Sequence, residues 1–146
     1  MILLNCYINN AGLLTFYLNY STQNRIVMTI QELGVKLANY CREGQFETAL
    51  KELYADDTVS IEPYPTPGFE KETKGMKACI EKAEKFTSMV EEVHSIAVSE
   101  PLITDNTIAF TLDMELTMKE RGRTRMNELC VYTVRDGKIV AEQFFY

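Results

Sequence analysis

The chain has 146 residues, a formal net charge of −6, and a composition that is 46% hydrophobic and 25% charged. This length is typical of one domain, and these proportions are those of an ordinary soluble globular protein, so a disordered chain, a collagen and a multi-span membrane protein are excluded. The acidic balance argues against nucleic-acid binding, because neutralising phosphates requires a basic face.

The cysteines and the histidine give no metal-binding pattern. The four cysteines lie far apart and form no C-x-x-C pair, and His94 is the only histidine. A zinc ribbon or a similar metal site is therefore not predicted, and we expect neither a metal nor a cofactor. We interpret the cysteines as reduced core thiols, which are typical of a cytoplasmic protein.

The N-terminal residues 1–27 differ in composition from the rest, because Arg25 is their only charged residue. The short apolar run Ala11–Leu18 lacks the cationic start and the cleavage motif of a signal peptide. Asparagines interrupt the apolar stretch that a membrane helix would require. We favour an N-terminal extension ahead of a domain at 28–146, with Met28 as the natural start of translation. A strand or helix packed on the domain is the alternative.

A first amphipathic helix is predicted directly after Met28. Apolar residues recur at intervals of three and four from Ile30 to Cys41, which is helical periodicity. Thr29 is the predicted N-cap, because Glu32 stands at the spacing of a capping box. Gly44 is predicted to end the helix.

Two further helices and a short strand are predicted before the main sheet. The second helix begins near Phe46, and the third runs from about Lys74 to Val90. A strand around 59–62 and a rigid, proline-rich loop at 63–68 separate these two helices. Lysines and glutamates alternate along and just before the third helix, which predicts an exposed face of mixed charge. The lysines of this face are Lys71, Lys74, Lys77, Lys82 and Lys85.

Four strands follow, because β-branched and aromatic residues alternate with polar ones. They are predicted at 93–99, 107–119, 123–135 and 138–146. Hairpin turns are predicted at Arg121–Arg123 and at Asp136-Gly137. We interpret the arginines of the first turn as solvated residues rather than as an anion site. Helices followed by an antiparallel meander predict an α+β fold with the helices on one face of the sheet.

The alternation of side chains also predicts which sheet face is buried. One face of the strand at 107–119 is entirely apolar, and its residues are Ile108, Phe110, Leu112, Met114, Leu116 and Met118. The last two strands carry apolar residues on both faces. If both faces of the sheet are apolar, the helices bury one of them and another surface must bury the other. We therefore expect a homodimer through the outer face.

The order of these elements resembles the nuclear transport factor 2-like superfamily, which includes SnoaL-like polyketide cyclases and ketosteroid isomerases. The similar pieces are the turn at Leu53–Asp57, a strand ending at Glu62-Pro63, Gly75 before the third helix, and the closing segment 132–146. The resemblance implies a cone-shaped, curved, mostly antiparallel sheet wrapped by three N-terminal-side helices, in the order α-α-β-α-β-β-β-β. It also implies a cystatin-like α+β barrel around an apolar pocket, and frequent dimers.

The resemblance implies a general base at Glu62, because ketosteroid isomerases carry a carboxylate just before a proline at this strand end. Their two hydrogen-bond donors for an enolate oxygen correspond to about Leu37 and Cys130, which cannot serve. An authentic ketosteroid isomerase is therefore not expected. The acid or base aspartate of the polyketide cyclases near the end of the last strand is also unmatched, and Glu142 is the available substitute.

Two more residues are candidates for proton transfer. Strand parity with Ile96 and Val98 predicts an inward His94, as a core histidine or as a catalytic residue. Glu128 shares a face with apolar residues, where an unpaired charge is costly. It has either a pocket role or a solvent-exposed position at the strand edge. On pattern alone, Glu62 faces either solvent or the pocket.

The predicted pocket wall combines apolar and hydroxyl-bearing residues. Its members are Leu37, Tyr40, Tyr64, Phe110, Met114, Cys130, Tyr132, Glu142, Phe144 and Tyr146. Three functions fit this pattern: a cofactor-free isomerase or cyclase, a module that binds a small apolar ligand without chemistry, and a dimeric interaction domain.

Overall fold

The computed structural model describes strands β1 (Asn5–Ile8) and β2 (Leu14–Tyr17) and the continuous chain from residue 28 to 146. β1 and β2 pair antiparallel. The prediction of an extension at residues 1–27 with a start at Met28 otherwise concerns residues outside this described part. It stays a prediction.

Three helices form at the predicted places. They are α1 (Ile30–Arg42), α2 (Phe46–Leu53) and α3 (Met76–Met89). The capping box of α1 is confirmed: the Glu32 backbone N–H donates to the Thr29 hydroxyl oxygen at 3.2 Å, and the Thr29 N–H donates to Glu32 Oε2 at 2.8 Å. The exchange satisfies two N–H groups that have no partner within the helix.

Seven further strands build the main sheet. They are β3 (Tyr54–Ile61), β4 (Glu72–Lys74), β5 (Val90–Val98), β6 (Leu102–Ile103), β7 (Thr107–Met118), β8 (Gly122–Arg135) and β9 (Lys138–Phe145). Their order is β4-β3-β9-β8-β7-β5, with β6 paired to β7, and only β3 and β9 run parallel. Helices on a mostly antiparallel sheet confirm the α+β fold. No helix among the described residues is long and apolar enough to cross a membrane.

The main sheet is open and does not close into the barrel that the resemblance implied. In the described part, β4 and β5 are the two edges of the strand order. Closure would require these edges to pair. Instead α3 contacts both β3 and β5, and this helix fills the space between the two ends of the sheet.

The buried face of β7 is the predicted one. Its residues from Ile108 to Met118 at every second position are all buried, and they pack beneath the helices in one core with Leu33, Leu37 and Leu53. The turn between β8 and β9 is also confirmed, with Asp136 and Gly137 at φ values of 53° and 73°. Two residues with positive φ are typical of the tight hairpin turns that match the twist of paired strands.

Candidate active site

A large cavity lies between the helices and the inner face of the sheet. Its volume is about 1120 Å³, which is slightly more than the ~300–1,000 Å³ of typical small-molecule sites. The helices α1, α2 and α3 form one wall, and β7, β8, β9 and the loop after β3 form the other. Most of the wall is apolar, so the few polar side chains that reach it decide its chemistry.

Glu62 is one of these polar side chains, and it follows directly after β3. The inward positions of β3 before it are Thr58 and Ser60, which are fully buried although they are polar. Glu62 continues this inward series and lines the cavity. The structure therefore places the Glu62 side chain on the cavity side of the sheet.

Lys82 of α3 pairs with Glu62 inside the cavity. The Lys82 ammonium donates to Glu62 Oε1 at 2.5 Å and to the Ser60 hydroxyl oxygen at 2.8 Å, and the Tyr146 hydroxyl donates to Glu62 Oε2 at 3.3 Å. The side chains of Lys82 and Glu62 are only 17% and 16% exposed. The prediction that Lys82 belongs to an exposed charged face is therefore wrong.

Glu128 is the second carboxyl group of the cavity. It lies on the inner face of β8 and is only 7% exposed, so the alternative of a solvent position at the strand edge is wrong. Burial, and after it the negative charge of Glu62, raise the pKa of Glu128 to about 7, while the Lys82 ammonium acts against this rise. None of the hydrogen bonds among the described residues involves its carboxyl group, which leaves both oxygens available to a ligand.

Glu142 of β9 is the third carboxyl group of the cavity. β3 and β9 place it opposite Ser60, and the Tyr54 hydroxyl donates to Glu142 Oε2 at 2.6 Å. Burial raises the pKa of Glu142, and the hydrogen bonds from Ser60 and Tyr54 oppose this shift. Three poorly exposed carboxyl groups thus share the cavity with the Lys82 ammonium, whereas Glu47 and Glu84 of the same wall are exposed. The pKa values of Glu128 and Glu142 are raised towards the protonated form.

Comparison with known protein families shows to which family the chain belongs. A sequence model of the SnoaL-like domain matches residues 28–146. The chain belongs to this family. The match covers α1 to β9, so every group of the cavity lies within the SnoaL-like domain.

Solved structures support the same fold. A protein from Mesorhizobium loti described as a candidate SnoaL-like polyketide cyclase is 30% identical, with a TM-score of 0.74 over 82% of this chain and 100% of that one. A cystatin-like protein from Xanthomonas campestris is 16% identical, with a TM-score of 0.69 over 81% of this chain and 90% of that one. A protein from Burkholderia pseudomallei with the nuclear transport factor 2-like fold is 14% identical, with a TM-score of 0.66 over 82% of this chain and 92% of that one. No curated protein matches the sequence.

His94 is not part of the cavity of this SnoaL-like domain. The register of β5 on β7 shifts between Val93 and Ser95, and this bulge turns His94 to the outer face of the sheet. There its Nε2 lies 2.7 Å from the hydroxyl oxygen of Thr117. The prediction of an inward His94 is wrong, because the bulge interrupts the alternation on which it depended.

Seven of the ten residues predicted for the pocket wall line this cavity, and three do not. The hydroxyl of Tyr40 donates to Glu52 at 2.6 Å on the outside of the α1–α2 pair. Phe110 and Cys130 are fully packed in the core, so they do not reach the cavity surface. The ring of Phe110 packs on that of Tyr132, with the centroids 5.2 Å apart. The predicted residues that do line the cavity are Leu37, Tyr64, Met114, Tyr132, Glu142, Phe144 and Tyr146.

Metal binding has no support in the described part of the chain. From residue 28 to 146, no group of three or more His, Cys, Asp or Glu side chains is placed to hold a metal ion. Besides two buried thiols and two exposed guanidinium groups, the polar groups of the described wall include carboxyls, hydroxyls and the Lys82 ammonium. These groups transfer protons and donate hydrogen bonds.

Proposed function

We propose that this SnoaL-like domain binds a small, mainly apolar, carbonyl-bearing molecule in its cavity and moves a proton on it without a cofactor, as an isomerase or a cyclase does. The observation that carries this proposal is a pair of inward carboxyl groups in different environments. Glu62 is salt-bridged to Lys82, whereas the buried Glu128 has no salt bridge or hydrogen bond with the described residues and has its pKa raised to about 7. A base and an acid in one apolar cavity are what such chemistry requires.

The proposed reaction divides the work between the two groups. The Glu62 carboxylate takes a proton from the carbon next to the carbonyl group. The electron pair of the broken C–H bond forms a C=C bond, and the carbonyl π pair moves onto the oxygen. Protonated Glu128 donates a hydrogen bond to that oxygen. If a C=C bond is conjugated with the enolate, Glu62 then returns the proton to its far carbon, the double bond shifts, and an isomer results. Alternatively the enolate carbon attacks a second carbonyl carbon, a ring closes as the C–C bond forms, and the resulting alkoxide takes the proton back from Glu62.

The family assignment supports this class of chemistry. The relative from Mesorhizobium loti, described as a candidate polyketide cyclase, is similar over its whole length. In this chain, the position equivalent to the isomerases' second donor is the buried Cys130, and Glu128 lies on the same inner face of β8, two residues earlier. We propose that Glu128 replaces that donor.

The test uses β-tetralone, an apolar bicyclic ketone with exchangeable protons next to its carbonyl group. Protein in heavy water is expected to accelerate proton-to-deuterium exchange at that carbon above the buffer rate, as measured by NMR. The acceleration is expected to decline as the pH rises through about 7, because Glu128 then loses its proton. Ligand-induced thermal stabilisation without any exchange would instead support a binding module, and it would contradict the catalytic proposal.

We also propose that two copies of the domain associate through the outer face of the sheet. Leu129 of β8 and Phe145 of β9 are directly paired across the strands and are 43% and 44% exposed. They form an apolar patch on the outer face of the sheet. Adjacent apolar side chains on an exposed sheet face are typical of an interface between copies.

The expected result is that the wild-type protein sediments as a dimer at micromolar concentration. The double variant Leu129→Asp, Phe145→Asp is expected to sediment as a monomer, because it introduces buried, unpaired charges into the interface. Leu102→Asp, at a more exposed apolar side chain on β6, is the control that keeps the dimer. A wild-type monomer, or a double variant that stays dimeric, would contradict this interface.

The cysteines support a reducing compartment for this activity. Cys41, Cys79 and Cys130 are free and buried. Burial raises the pKa of Cys41 to about 12, which keeps its thiol protonated and unreactive. We therefore propose that the domain works in the cytoplasm.

A further inference from the structure

Lys82 occupies a distinctive place in the cavity wall. The cations of the described wall are Lys82, Arg121 and Arg125. Both arginines are exposed, and Arg125 is salt-bridged to Asp113 on the outer face of the sheet. Lys82, with a side chain only 17% exposed, is thus the least exposed cation of the wall within residues 28–146. It lies next to the proposed base, Glu62.

The ammonium of Lys82 has hydrogen-bonding capacity left for a ligand. An ammonium group has three N–H donors, and in the described part of the chain two of them bind Glu62 and Ser60. The nitrogen also lies 5.3 Å from the centroid of the Phe144 ring, which lines the cavity. The aromatic face holds the cation by its quadrupole and accepts no classical hydrogen bond from it. The third N–H therefore remains for a group inside the cavity.

We propose that Lys82 binds the carbonyl oxygen of the ligand, and that the cavity therefore selects molecules whose oxygen carries or gains a negative charge. This inference rests on the proposed function, because it adds Lys82 beside Glu128 as a hydrogen-bond donor to the ligand oxygen in the same reaction. It makes Lys82 a specificity-determining residue and not only the salt-bridge partner of Glu62.

The movement of charge during the reaction supports this role. When Glu62 accepts the proton, its negative charge disappears and an equal charge develops on the ligand oxygen. A cation in reach of both oxygens keeps a partner before and after the transfer, so no buried charge is left alone. The interaction with the ligand strengthens only as its charge develops, and this differential binding is what lowers a barrier.

The surrounding carboxyl groups make a cation necessary for an anionic ligand. Glu62, Glu128 and Glu142 all line the cavity, and their mutual repulsion contributes to the raised pKa values of Glu128 and Glu142. An oxyanion placed among them without Lys82 would meet the same repulsion. The ammonium offsets this repulsion at one point of the wall, and it therefore fixes where the ligand oxygen lies.

The test compares two probes of the same shape in the wild-type protein and in Lys82→Met. Para-nitrophenol has an oxygen whose ionisation changes its visible absorbance, whereas para-nitrotoluene is neutral at every pH. We expect bound para-nitrophenol to ionise at a lower pH than free para-nitrophenol. Lys82→Met is expected to weaken phenolate binding by about 10–100-fold, the loss typical of a hydrogen bond to a charged group. Binding of para-nitrotoluene is expected to stay unchanged.

Two further variants control this comparison. Lys77→Met removes an exposed lysine from the same helix and is expected to keep wild-type phenolate binding. Lys82→Arg keeps the charge and is expected to restore part of the phenolate preference that Lys82→Met loses. The ionisation of para-nitrophenol in the wild-type protein is informative even if Lys82→Met fails to fold.

Each outcome separates this inference from the proposed function. Ionisation of bound para-nitrophenol at a higher pH than in solution, or equal phenolate binding by wild type and Lys82→Met, would overturn the role of Lys82. If para-nitrotoluene still binds in that case, the apolar cavity stands. If neither probe binds the wild-type protein, the proposed ligand class and the role of Lys82 fall together. Lys82-dependent phenolate binding without exchange of β-tetralone would support the oxygen site and contradict the catalysis.

Discussion

Glu62→Gln is expected to lower the rate of β-tetralone exchange by about 10²–10⁴-fold, the usual contribution of a positioned general base. The amide keeps the shape of the side chain, and its oxygen still accepts a hydrogen bond from Lys82. What it loses is the ability to take a proton from carbon. NMR exchange rates in heavy water measure the effect directly, and the thermal shift produced by β-tetralone shows whether the ligand still binds.

The control for this variant is Glu120→Gln, the same substitution at an exposed position of the turn between β7 and β8. It is expected to exchange β-tetralone at the wild-type rate. A Glu62→Gln protein with unchanged exchange would remove Glu62 from the proposed mechanism. If Glu128→Gln then lost the activity, the base would have to be Glu128.

Those parts of the fold that depend on local patterns could be predicted from the sequence. The capping box of α1 involves residues three positions apart, and the buried face of β7 follows from simple alternation. The strand predicted around 59–62 begins earlier, at Tyr54, because β3 pairs in parallel with the distant β9 and shifts its register after Tyr54. β4 and β6 have only three and two residues, too few for a periodic signal.

The candidate site shows the same division between local and distant causes. Glu128 was recognisable because a carboxyl group on that strand face conflicts with its apolar surroundings. Glu62 was recognisable only through the resemblance to ketosteroid isomerases, because its strand parity left both orientations open. Lys82 was missed because alternating charges indicate an exposed helix face. Its spacing from Cys79 and Phe86, which lie on the buried side of α3, is the signal that could have placed it inside. His94 faces outward because a bulge interrupts the pairing of β5 with β7. Such a bulge depends on both strands, so the sequence of β5 alone does not predict it.

The stability of the domain is expected to fall as the pH rises from about 4.5 to about 7, and Glu128 is the main cause. Its pKa is about 7 in the folded protein, against an ordinary value of 4.5. Between these values the folded state holds a proton that the unfolded chain releases, so each rise in pH favours unfolding. A shift of this size corresponds to about 3 kcal/mol of unfolding free energy, fully lost only above the folded pKa.

Urea denaturation between about pH 5 and about pH 8 measures this loss of unfolding free energy. The Glu128→Gln variant distinguishes the contribution of Glu128 from that of the other acidic residues. The neutral amide cannot ionise, so the variant is expected to lose much of the pH dependence and to exceed the wild type in stability above neutral pH. Glu120→Gln, at an exposed carboxyl, is expected to keep the wild-type slope. Parallel curves for the wild type and Glu128→Gln would mean that the carboxyl is solvated, and the proposed donor would then have no raised pKa. If the slopes separate as expected, the burial that destabilises the fold above neutral pH is the same burial that keeps a proton on Glu128 for the ligand.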